Sequence, residues 1–95
     1  MGTELVDTEL ERVVRRWREL PLDHALSAFP QVWALVQQLA DDTAPVTGMP
    51  LTAVPDLGPA VVMDQLRVMV HDWRTAGLAE AALGQRLTAL RRSLP

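Results

Sequence analysis

The amino-acid sequence predicts an all-α fold: a compact bundle of four main helices, with room for one short extra helix and a single long proline-containing loop. Three observations carry this reading. Apolar residues recur at helical spacing in four stretches, and no stretch keeps the alternation of a half-buried strand. The breakers Pro45, Gly48, Pro50 and Pro55 gather between the second and third of those stretches. With 95 residues, 48% of them hydrophobic, and a net charge of −3, there is material for one core and hence one domain over 1–95.

The first helix is expected from Thr3 or Asp7 to Glu19, with Val6, Leu10, Val13, Val14 and Trp17 on one face and the charges opposite. Pro21 ends it by disfavouring an α conformation in Leu20. A short helical turn over Leu22–Ala28 comes next, and Pro30 then fits the first turn of a helix running to Ala40. That helix carries Val32, Leu35, Val36 and Leu39 on its stripe, with Phe29 beneath its start. From residue 42 to 55 the period vanishes, which marks the long loop. Asp56 as N-cap and Pro59 in the first turn open a long helix that reaches Ala76, with Gly77 just past its end. Its core stripe is Val62, Leu66, Met69, Val70 and Trp73, and its wet face is Asp64, Arg67, His71 and Arg74. The last helix, Leu78 to Ser93, is expected to bury Ala79, Leu83, Leu87, Leu90 and Leu94. Its Glu80 and its Arg91 and Arg92 suit the macrodipole at either end.

The segment VPDLGPAVVMDQLRVMVHD, from Val54 to Asp72, resembles small uncharacterised helical proteins of high-GC actinobacteria. The resemblance covers roughly the central third of the chain, holds no motif of known chemistry and brings no activity or site residue with it. It implies a bacterial helical protein.

Chemistry is sparse along the chain. The absence of cysteine removes thiolate nucleophiles, disulfides and cysteine-held metals, which fits the cytoplasm. Glu4, Asp7 and Glu9 replace the basic start of a secretory signal. The longest apolar stretch, Pro59 to Val70, is broken by Asp64, Gln65 and Arg67, so no membrane span is expected. His24 and His71 each have an aspartate only as a chain neighbour, about 100° around the helix, and no Glu-x-x-His pair exists to seat a metal. Ser27 and Ser93 lie in no nucleophile context. No catalytic, metal or cofactor-binding residue is therefore assigned. One alternative stays open, a small-molecule or catalytic site in the bundle where arginines from different helices meet an anionic substrate.

Arg12, Arg15, Arg16 and Arg18 suggest a nucleic-acid contact. However, Glu11 and Glu19 stand one turn either side of Arg15, and Glu9 stands three residues before Arg12, so the cluster is expected to neutralise itself along its own helix. The net acidic chain argues the same way. Nucleic-acid binding is kept as the alternative, dependent on the arginines converging with Arg91 and Arg92 on one surface. The favoured reading is a non-catalytic interaction module that binds a protein partner or itself. Its candidate contact residues are those the core stripes do not use: Trp33, Met49 and Leu51 in the loop, and the strip of Val61 and Val68.

Overall fold

In the computed structural model, which describes residues 2–95 and the side chains from Glu4 onward, the first stripe folds as α1 (Gly2–Glu19). It buries Val6, Leu10, Val13, Val14 and Trp17 as its spacing predicts. α2 (Leu22–Thr47), α3 (Val62–Thr75) and α4 (Glu80–Ser93) complete the bundle, and no strand occurs among the described residues. Leu83, Leu87, Leu90 and Leu94 close the core from α4, whereas Ala79 precedes that helix and is exposed.

The expected short helix and the helix after it are one continuous element. Ala25, Ala28, Val32, Leu35, Val36, Leu39 and Thr43 form a single in-phase buried stripe straight through Pro30. The ring leaves the Leu26 carbonyl without its helical donor, but Leu26 lies on the exposed face, where water can serve it. α2 also passes its expected end at Ala40 and runs through Pro45 to Gly48, whose left-handed backbone (φ 72°) closes it, with the Met49 N–H on the Ala44 carbonyl at 2.9 Å. The long loop is thus residues 48–61, displaced from the expected 42–55.

α3 starts six residues later than its expected N-cap at Asp56. Gly58 takes φ 86°, which no right-handed helix allows, and the Asp56 carboxylate accepts the Gly58 N–H at 3.0 Å in a local turn. The Pro59 carbonyl, which a helix there would use internally, instead accepts the Trp17 indole N–H at 3.1 Å. Met63 takes a buried place on the core stripe, and Met69 is only half-buried. At the other end Gly77 (φ 76°) follows α3 as expected. The Leu78 N–H reaches the Trp73 carbonyl and the Gly77 N–H the Arg74 carbonyl, a Schellman closure.

α1 packs chiefly on α4, and α2 on α3. Matching positions show the sense of each pair. Leu5 lies against Gly84, Glu9 bonds Arg91, and Arg16 bonds Pro95, so α1 and α4 run parallel. Ala25 shares a concavity with Met63, and Ala40 shares another with Met69, so α2 and α3 also run parallel. The order is up-down-down-up. Short connections suffice for the antiparallel steps, but a parallel α2–α3 pair needs the chain to travel back along α2, about 30 Å for some 20 helical residues. The loop exists to make that return. The result is a slab 38 × 31 × 16 Å across.

Candidate partner-binding surface

The returning loop is pinned, not loose. Gln37, on the α2 face that also carries Trp33, Ala40 and Ala44, accepts the Val54 N–H at 2.8 Å and donates to the Thr52 carbonyl at 3.2 Å. Gln65 from α3 donates to the Pro55 carbonyl at 2.8 Å. The apolar loop side chains split at these ties, which fall on Thr52, Val54 and Pro55. Val54 turns in and packs on the core, while Met49 and Leu51 stay 64% and 69% exposed.

The loop, the end of α2 and α3 enclose an apolar groove of about 390 Å³, walled by Ala40, Ala44, Met49, Pro50, Val54 and Met69. Asp72 is its one charged wall residue among those described. Leu51 lies in the chain between two wall residues, Pro50 and Thr52, without lining the groove itself. Val68, 53% exposed, stands one helical turn from Asp72. Of the five candidate contact residues only Met49 is among the described wall residues, while Leu51 and Val68 are chain neighbours of wall residues. Trp33 is half-buried, stacked on Phe29 with ring centres 6.0 Å apart, and lies about two turns along α2 from the groove. Val61 is half-buried at the start of α3. Neither lines the groove. A second exposed pair, Leu22 and Leu26, was missed; its i, i+4 spacing beside the core residues Ala25 and Ala28 is the signal that marks it.

The charges arrange themselves across helices more than along them. Glu9 is 4% exposed and takes the Arg91 Nε at 2.6 Å, with Arg12 at 3.6 Å. The hydrogen bond from Arg91 holds the Glu9 carboxyl below its ordinary value against the opposing effect of burial, and the same bond raises Arg91. Glu11 pairs with Arg67 of α3 at 2.9 Å, and Glu19 with Arg16 at 3.8 Å. The expected neutralisation of Arg15 by Glu11 and Glu19 therefore fails, because both carboxylates are engaged elsewhere. Arg15 has no carboxylate partner among the described residues.

Arg12, Arg15, Arg16 and Arg91 line one concavity of about 330 Å³ with Glu19, while Arg18 faces a different one. Arg92 does not join them. The remaining arginines tie helices together: Arg74 bridges Asp7 and Glu80, and Arg86 binds Asp42 while lying 5.1 Å over the Trp73 ring. Among the described residues His71 meets only the Thr75 hydroxyl, at 3.4 Å, and His24 is exposed. Among the described residues no three His, Asp or Glu side chains converge to hold a metal, and no helix is long and apolar enough to cross a membrane. No protein-family model, curated protein or solved structure matches the chain.

Proposed function

We propose that this chain is a non-catalytic helical module of the bacterial cytoplasm that binds an apolar segment of a partner protein, or of a second copy of itself, in the groove between α2, the returning loop and α3. The observation that carries the reading is an apolar concavity with the exposed Met49 in its wall, flanked in the chain by Leu51 beside Pro50 and Val68 beside Met69, both more than half exposed. The ties from Gln37 and Gln65 support it, because a wall already fixed loses little freedom on binding. Asp72 at the wall favours a segment that carries a basic residue beside its apolar ones. Trp33 and Val61 are rim residues of this surface at most.

The test is site-specific photo-cross-linking in cells, with the reactive side chain at Met49, at Val68, or at His24 near the far end of α2. A defined protein adduct is expected from the two groove positions and not from His24, and Leu51→Glu is expected to abolish it. An adduct of twice the chain mass identifies a second copy as the occupant. Adducts equal at all three positions, or none at the groove, overturn the proposal.

A further inference from the structure

We infer that the concavity lined by Arg12, Arg15, Arg16 and Arg91 binds the terminal phosphate group of a small phosphorylated molecule. This site is separate from the apolar groove and does not depend on it.

The inference rests first on how the four guanidinium groups are held. Arg91 is fixed by the buried Glu9 at 2.6 Å, Arg12 leans on the same carboxylate at 3.6 Å, and Arg16 Nε donates to the Pro95 carbonyl at 2.7 Å. Each of these contacts uses part of a guanidinium that offers five donors, and leaves N–H groups over for a ligand. Arg15 is left with all of its donors, since Glu11 and Glu19 are engaged by Arg67 and Arg16. Three anchored forks and one unengaged fork around a single concavity match the several acceptor oxygens of a phosphate.

Charge points the same way. Four guanidinium groups gather where Glu9 and Glu19 supply the nearby side-chain carboxylates, so positive charge prevails in the concavity, the sign that a phosphomonoester of roughly −2 requires. Helix ends explain only part of the cluster. Arg16 and Arg91 lie in the last turns of α1 and α4, where cations suit the macrodipole, but Arg12 and Arg15 lie further back, beyond its reach.

The surroundings select a small ligand over a long polyanion. Glu19 bounds one side of the concavity, and the adjoining hollow along α1 holds Asp7 and Glu11. A nucleic-acid backbone laid across the arginines would run onto those carboxylates on a chain whose net charge is −3.

The experiment is an NMR titration of the arginine Nε–Hε resonances with inorganic phosphate at constant ionic strength, with sodium chloride as the blank and duplex DNA as a second probe. Saturable shifts at Arg12, Arg15, Arg16 and Arg91 are expected. Arg15→Gln, at an exposed position, is expected to weaken phosphate binding about tenfold, while Arg18→Gln leaves it unchanged. Shifts that do not saturate or that match chloride overturn the inference, as does an Arg15→Gln protein that binds phosphate like the parent. Duplex DNA that binds more tightly than phosphate and is released between about 50 and 200 mM salt also overturns it, in favour of a nucleic-acid backbone.

Discussion

Glu9 is an acid on the inner face of α1, and its burial is tolerable only because Arg91 and Arg12 meet it. Arg91 holds its folded-state carboxyl below the ordinary 4.5, so folding favours the ionised form. The contribution is complete above pH 4.5, where the unfolded chain is ionised too, and is lost as pH falls through the lower folded-state value. Urea midpoints followed from pH 7 to pH 3 should therefore fall more steeply below about pH 4.5 in the parent than in Glu9→Gln. Half of this arrangement is legible in the sequence, because Arg12 stands one turn from Glu9. The stronger partner lies 82 residues away, and no local spacing announces it. Gly84 was hidden for the same reason: a Cβ there would stand 2.9 Å from Leu5, so it marks a close approach of α4 to α1 that only the packed pair reveals.

At the scale of elements, Pro30 misled the boundary between the second and third expected segments, yet the buried stripe was written on both sides of it in one phase. Periodicity outweighs a single breaker when the lost hydrogen bond falls on the wet face and the dry face keeps packing. The ring nevertheless opposes the helix. Pro30→Ala is expected to raise the unfolding free energy by about 1–3 kcal/mol, the helix gain less the freedom restored to the unfolded chain. Chemical denaturation measures it, and a destabilised variant would mean the ring itself makes contacts the helix depends on. The start of α3 failed for a different cause. Asp56 and Pro59 form a sound local signal, but Gly58 and the Trp17 indole claim that backbone for a turn. The groove was legible as residues and not as a place: the loop's apolar side chains stand out in the sequence, but which turn inward depends on Gln37 and Gln65.

For the whole molecule, the up-down-down-up order joins the first helix to the last, so the core closes only when α4 is present. A chain ending at Gly77 loses Leu83, Leu87 and Leu90, each worth about 2–5 kcal/mol when truncated to alanine, against a total stability of about 5–15 kcal/mol. It is expected to show no cooperative thermal transition by near-ultraviolet circular dichroism, and a sharp one would disprove the pairing. The four-helix fold class follows from periodicity, as do the stripes of α1 and α2 in full and those of α3 and α4 except at Met69 and Ala79, whereas the parallel sense of each pair does not, since it rests on contacts between distant residues. That parallel sense has a mechanical consequence. Tension applied at residues 2 and 95 pulls α1 and α4 in opposite directions along their shared length. The Glu9–Arg91 and Arg16–Pro95 bonds are then strained together in shear, where an antiparallel pair would unzip them one at a time.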